Sequence, residues 1–426
     1  MRTRPLRLNG IVKFVTQSFL LSASLLLVSC AKGLDTHATV RLSTQTEDES
    51  LSRAASRLSG LTLSQDLTPE YWSSALKKDR AGPNPRDLYI AEWGRELVAA
   101  QKEGDLAQIA AYWRKTGASR RMPPCTASIR PTPKQGFIPS EVSMWGLFYN
   151  RTLFAELGSP EIRDMDGLTA LLDAAKRMGI VPIALGAAFG WPGAAWFTCI
   201  DMRLNGGKTA WERVMGDRPF DDAESLAAAK LLASWKDAGY FSPDAPQAGM
   251  EESVSAVENG KALLVLMDSS AVERTASRST IGFMELPFWK GRGEPRGEMG
   301  SVTGFVVSAS SPSPGAALAL VDAYIAAGSV RESAKRYALP VRFGRDDTGT
   351  LQGVQARALE KTLWLVPSVD RIMPAQFVQD SIRVWSAFFD RTTGTDGPGL
   401  ASALQALNAK TGVGAAAGEA GKGAGQ

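Results

Sequence analysis

The sequence predicts an α/β fold with more than one domain, and three observations carry that expectation. Short apolar runs alternate with helical stretches from residue 39 onward, the signature of a parallel sheet covered by helices. A strand–helix–strand unit occupies 145–185, with Leu168, Leu171, Leu172, Ala175 and Met178 at helical spacing between two apolar runs. The chain has 426 residues, too many for one small core.

Taken in order, Thr39-Val40-Arg41-Leu42-Ser43 reads as the first strand and leads into Thr44-Gln45. A helix is expected over about 48–58, a strand at 61–63, a helix at about 69–78 and a strand at 87–91. In parallel sheets ligands bind beyond the carboxyl ends of the strands. Thr44, Gln45, Glu92 and Trp93 fall there and are candidate ligand contacts. Residues 104–139 are expected to be loop-rich, because Pro123-Pro124, Pro131 and Pro133 interrupt any regular element. Further strands are expected at 145–150, 180–186, 263–267 and 303–307. The strand at 303–307 is expected in a different sheet from the one at 180–185. The Gly/Ala-rich tail from Thr411 lacks core-forming side chains and is expected to be disordered.

The amino end reads as a targeting segment. Arg2, Arg4, Arg7 and Lys13 precede a mostly apolar run, Phe14 to Val28, of signal-peptide length. It closes on Leu27-Val28-Ser29-Cys30, which resembles the lipobox of bacterial lipoproteins. That resemblance implies cleavage after residue 29 and lipidation of Cys30; the alternative is a stray cysteine on an uncleaved anchor. Cys125 and Cys199 remain, with two buried free thiols as the default and a disulfide as the alternative.

Composition narrows the chemistry. A net charge of +4 with no dense basic run argues against a nucleic-acid partner. The single histidine, His37, lies near the amino end, so Ser-His-Asp and Cys-His sites are not expected, and nothing has zinc spacing. Gly291 to Gly297 misses a dinucleotide fingerprint by one residue and follows no suitable strand. No cofactor or metal is expected. A glycosidase carboxylate pair is not excluded by counting.

Eleven tryptophans are the informative residues. A sugar offers C–H faces to aromatic planes and hydroxyls to carboxylates and amides. Trp93, Trp145, Trp191 and Trp196 sit in turns bounded by glycine or proline. Trp191 and Trp196 beside Asp201, Trp93 beside Glu92, and Asp268 beside Ser269 are the expected pairings. Pro192 and Gly193 are expected to free Trp191 and Trp196 from a single helical face, so that both rings reach a cleft. Each ring could instead fill a core, and that reading is preferred for Trp211, Trp235 and Trp364.

Leu147-Phe148-Tyr149-Asn150-Arg151, Leu153-Phe154 and Ile180-Val181-Pro182-Ile183-Ala184 resemble the extracellular solute-binding proteins of ABC transporters, in the sugar-carrying branch. Gly239-Tyr240-Phe241, Glu258-Asn259-Gly260-Lys261-Ala262 and Gly300 to Ser308 extend the resemblance, which covers roughly 85–410. It implies a type II, two-lobed periplasmic-binding-protein fold, each lobe a sheet flanked by helices and joined by a hinge. One lobe would comprise 36–139 with 299–328, the other 140–298 with 329–410. The cleft between them would take a mono- or oligosaccharide, with Gly300 on the returning strand. Arg342 would bond the ligand or tie the lobes. The chain is then expected to be a monomeric, lipid-anchored receptor on the periplasmic face of a bacterial membrane or the cell surface, delivering to permease subunits. An exported glycan hydrolase and a non-transport surface lipoprotein stay open as alternatives.

Overall fold

The computed structural model describes residues 38–45, 47–116, 124–125, 136–269, 272, 279–326, 339–340 and 351–411. Cys30 and Arg342 lie outside them, as does the tail beyond Thr411.

The amino-terminal strands form as the alternation requires. β1 (Ala38–Thr44) pairs in parallel with β2 (Leu61–Leu67), from Ala38↔Leu61 to Thr44↔Leu67. Between them runs α1 (Glu49–Ala55), whose first turn is fixed by Asp48 accepting from the amides of Ser50 and Leu51. α2 (Trp72–Arg80) leads to β3 (Leu88–Glu92), parallel to β1 on its other side. α3 (Arg95–Lys102) follows, and α4 (Ala110–Thr116) is a helix inside the stretch expected to be loop. The prolines there lie outside that helix, so they did not forbid it.

The next strand carries the architecture. β4 (Phe137–Asn150) is fourteen residues long and runs unbroken through the lobe boundary expected at 139/140. Asn150 ends it and starts α5 (Arg151–Glu156): its side chain accepts from the Thr152 and Leu153 amides and donates to Val257 O at 2.8 Å. α6 (Met165–Arg177), β5 (Val181–Ile183), α7 (Trp191–Asn205), α8 (Gly207–Val214), α9 (Ala223–Asp237) and α10 (Met250–Glu258) follow. Then come β6 (Ala262–Asp268), β7 (Ile281–Met284), β8 (Gly297–Val307) and α11 (Pro314–Ala326). The carboxyl part holds β9 (Leu339–Pro340), α12 (Leu351–Glu360), β10 (Trp364–Val366), α13 (Val369–Ile372), α14 (Ala375–Phe389) and α15 (Gly397–Thr411).

The main strand order is β2-β1-β3-β8-β4-β6-β5. The first half of β4 pairs antiparallel with β8, from Phe137↔Val306 to Met144↔Gly300, with an irregularity between Pro139 and Glu141. Its second half pairs with β6, from Trp145↔Asp268 to Tyr149↔Leu264, and with β7. Residues 303–307 pair with β3 and the start of β4, whereas Val181 and Ile183 pair with β6. The two ladders are nevertheless joined, a link the sequence did not suggest. Because β4 is long enough to serve both halves, the hydrogen-bonded ladder is continuous through it.

The cores follow the halves. Trp72, Tyr89, Trp93, Leu97 and Val306 pack on one face of the β3–β8 half, and Val40, Leu42, Phe305 and Leu320 on the other. Around β6, Leu264 and Leu266 face α6, α7, α9, α14 and α15, while Val265 and Met267 face α10.

That helical core claims two residues expected at the ligand. Pro192 does not break the chain; it sits in the first turn of α7, where its missing N–H costs nothing. Trp191 and Trp196 are thus on one helix, and five positions leave their rings about 140° apart. Trp196 is 1% exposed, its ring edge-on to Trp235 at 5.8 Å and to Phe241 at 5.6 Å. Asp201 is also buried, accepting from Arg213 Nε at 2.9 Å and Asn205 Nδ2 at 2.7 Å. Both are core residues, and neither presents a surface to a ligand.

A second buried ion pair joins α7 to β8. Arg203 meets Glu298 at 2.6 Å, donates to the carbonyls of Leu286 and Gly297, and lays its guanidinium 4.1 Å from the Phe288 ring centroid. Burial pushes the Glu298 carboxyl above its usual range, and the Arg203 charge opposes it. Cys125 and Cys199 are free, buried thiols.

Two outcomes follow for these interiors. Trp196→Ala is expected to cost about 3–5 kcal/mol of stability, read from the urea midpoint. A variant as stable as the parent but weaker in binding would return Trp196 to the ligand site. Burial pushes both thiols up to about 12. At pH 8 the thiolate fraction is then on the order of one part in ten thousand. Neither should react with Ellman's reagent until urea is added; labelling of the native protein would contradict this burial.

Candidate ligand-binding site

A pocket of about 290 Å³ opens beyond the carboxyl ends of β1, β2 and β3. Ser43, Thr44 and Gln45 enter it from the end of β1, and Thr68, Glu70, Tyr71 and Trp72 from the segment after β2. Ile90, Ala91 and Glu92 close β3 against it, with Thr303 of β8 beside them; Glu47 and Asp48 form the rest of the wall. The lining thus combines hydroxyls, one amide and four carboxylates with two aromatic rings. Tyr71, one of the lining residues, is 40% exposed.

Beneath the pocket, a polar cluster holds its floor. Arg86 forks onto Asp79 at 2.5 and 2.9 Å and also donates to Ser43 Oγ at 3.3 Å. The Tyr89 hydroxyl donates to the same carboxylate. Burial works to raise the Asp79 pKa, but the bonds from Arg86 and Tyr89 hold it below the usual carboxylate range. Ser43 Oγ in turn lies 3.4 Å from Thr68 Oγ1.

The pocket carboxylates are partly engaged. Asp48 caps α1, Glu70 pairs with Lys78 at 3.0 Å, and Glu92 pairs with Arg371 of α13. Burial works against the Arg371 charge, yet Glu92 and Asp370 outweigh it and hold its pKa above the usual value. Burial, then the Glu92 charge, pushes the Tyr71 hydroxyl up.

A second polar group sits where β4, β6 and β8 meet. Asp268 accepts from Ser143 Oγ at 2.9 Å and Ser301 Oγ at 3.3 Å, and Ser269 Oγ accepts from the Met144 amide at 3.3 Å. Trp145 stands opposite Asp268 in the ladder, its buried indole N–H without an acceptor among the described residues. Trp191 closes on it edge-to-face at 5.7 Å. Arg371 feels the charge of Asp268 as well as, more strongly, those of Glu92 and Asp370.

Of the residues expected from sequence, Thr44, Gln45 and Glu92 converge on the pocket. Trp145, Trp191, Asp268 and Ser269 gather at the crossover. Trp93 does not join its neighbour Glu92. Successive side chains at a strand end point to opposite faces, and Trp93 turns into the core with Trp72 and Leu97. Gly300 serves the ladder: a Cβ there would lie 2.7 Å from Ser143 O. Sequence reasoning missed Tyr71, Trp72, Thr68, Thr303 and Arg371. The aromatic pair between a strand and the helix after it was a usable signal for Tyr71 and Trp72; nothing local marked Arg371.

Among the described residues, no group of three or more His, Cys, Asp or Glu is placed to hold a metal. No described helix is long and apolar enough to cross a membrane.

Comparison with known proteins bears on this geometry. A search of curated sequences returns no match. Among solved structures, the bacterial solute receptor AcbH, reported to prefer β-D-galactopyranose exclusively, aligns with a TM-score of 0.72 at 17% identity, covering 88% of this chain and 98% of its own. A probable secreted solute-binding lipoprotein from Streptomyces coelicolor gives 0.72 at 17%, covering 87% and 98%. RafE from Streptococcus pneumoniae gives 0.70 at 17%, covering 89% and 99%. At this identity the likeness concerns the fold, which is the two-lobed α/β architecture. The sequence profile described as bacterial extracellular solute-binding protein matches residues 66–330. The chain therefore belongs to the bacterial extracellular solute-binding protein family.

Proposed function

We propose that this protein is the substrate-binding lipoprotein of an ABC importer, taking a mono- or oligosaccharide into the cleft and handing it to permease subunits. The observation that carries the reading is the pocket beyond β1–β3, where hydroxyls, carboxylates and an amide stand beside the partly exposed Tyr71. Vicinal sugar hydroxyls need acceptors and donors at close spacing, and the ring's C–H face needs a flat apolar partner. Glu92, Thr44 and Gln45 supply the first requirement and Tyr71 the second. Asp268 and Trp191 meet the ligand from the crossover side.

In this reading residues 36–139 and 299–328 make one lobe and 140–298 with 329–410 the other. The lobes close over the ligand about β4 and β8, a hinge motion of the kind periplasmic binding proteins undergo. Extra contacts made only in the closed form give the ligand its preference for that form, which the permease then recognises.

Mass spectrometry of co-purifying small molecules should identify a saccharide, which calorimetry then titrates. Tyr71→Ala and Glu92→Gln should each weaken binding tenfold or more, about 1.4 kcal/mol. Unchanged affinity in both would move the site elsewhere, and hydrolysis of the saccharide would replace the receptor with an enzyme.

Cys30 is the lipid-bearing residue in this reading, at the end of the apolar run Leu27-Val28-Ser29-Cys30. The wild-type chain should enter the detergent phase on Triton X-114 partitioning and Cys30→Ala should not. Equal partitioning would remove the anchor.

A further inference from the structure

We propose that the turn carrying Arg371 is an intramolecular clasp, holding the two cores against each other through protein groups alone. The clasp spans two parts of the molecule with separate interiors. Val369 and Met373 are buried in the helical core around α7 and α14. Glu92, Gly94 and Arg95 end β3 and begin α3, whose Leu97 belongs with Trp93 to the other core.

Four contacts cross between them. Arg95 Nη1 donates to the carbonyl of Asp370 at 2.6 Å and to that of Met373 at 3.0 Å. Arg371 Nη1 pairs with Glu92. The Gly94 backbone approaches Arg371 so closely that a Cβ would lie 2.8 Å from its carbonyl oxygen. Ile372, between the two arginine contacts, packs against both cores.

The pieces reinforce one another. The Glu92–Arg371 pair alone would contribute little, since both side chains are more than a third exposed. The Arg95 bonds are of a different kind. They are charge-assisted, reach main-chain oxygens and satisfy carbonyls at the end of α13 that no helix bond can use. A turn seated this way fixes Arg371, and Arg371 then stands at Glu92 on the wall of the pocket. Closure and pocket geometry are thereby linked through the same side chains.

The consequence is a closed form that does not wait for ligand. Contacts that favour one of two forms raise its population, and apparent affinity follows the competent fraction. Weakening the clasp at Arg95, which touches no pocket group, should lower apparent affinity by lowering that fraction.

Small-angle scattering of the ligand-free protein tests this without reference to any ligand, so its outcome is separate from that of the carbohydrate reading. Arg95→Met and Gly94→Ala should each raise the radius of gyration above wild type. Added salt should raise it in wild type and change it less in Arg95→Met. Calorimetry with the identified ligand should show a three- to tenfold loss of affinity in both variants, with the bound forms returning to the wild-type radius. Gly94→Ala keeps every charge and decides the matter if Arg95→Met does not fold. A ligand-free radius unchanged in the folded variants overturns the clasp.

Discussion

The structure depends on one ladder, the antiparallel pairing of β4 with β8. At about 3.3 Å per residue, β4 extends for roughly 45 Å, long enough to begin in one half of the molecule and end in the other. Its first half gives β8 a partner, and β8 in turn gives β3 one. Its second half gives β6 and β7 theirs. Every strand of either half reaches the rest through this pair. The backbones run very close: a Cβ on Gly304 would lie 2.3 Å from Ile138 O. A side chain at that position would have to push the ladder apart.

The polar chemistry is sorted by depth. Charges that never meet solvent are paired tightly and serve packing, as with Arg203–Glu298 and Arg213–Asp201. Removing one member of such a pair leaves an uncompensated buried charge, at a cost of about 3–5 kcal/mol. Charges at the strand ends remain partly wet, and there the carboxylates of Glu92 and Glu70 keep room for exchange of partners. A receptor needs both classes. The first holds the interiors fixed, and the second leaves polar groups at the strand ends that can exchange partners.

Much of this was legible locally. The strands 39–43, 61–63 and 87–91 came from short runs between helical stretches, and the helix through Leu168–Ala175 from periodicity, because it buries one face. Thr44, Gln45 and Glu92 came from a topological rule about strand ends. What failed was the assignment of aromatic rings. Trp196 looked like a platform because it follows Pro192 and Gly193, yet its fate is set by Trp235 and Phe241 on later elements. Trp93 lost to strand alternation, which its neighbour Glu92 satisfied in the opposite sense. Arg371 was invisible for the plainest reason. Its partner Glu92 lies 279 positions earlier, and no spacing rule reaches that far.

The strand order has a meaning for synthesis and export. β8 lies between β3 and β4 in space but after both in sequence. A chain emerging amino end first can therefore pair β1 with β2 and β3 early, yet the outer edge of β3 has no partner until β8 arrives, and Glu92 must wait for Thr303. An unpaired edge next to buried apolar residues is a surface on which other chains can add. The half of the sheet built on β1, β2 and β3 is therefore finished only by the last third of the chain, which brings β8, whereas β4 to β7 can pair before it.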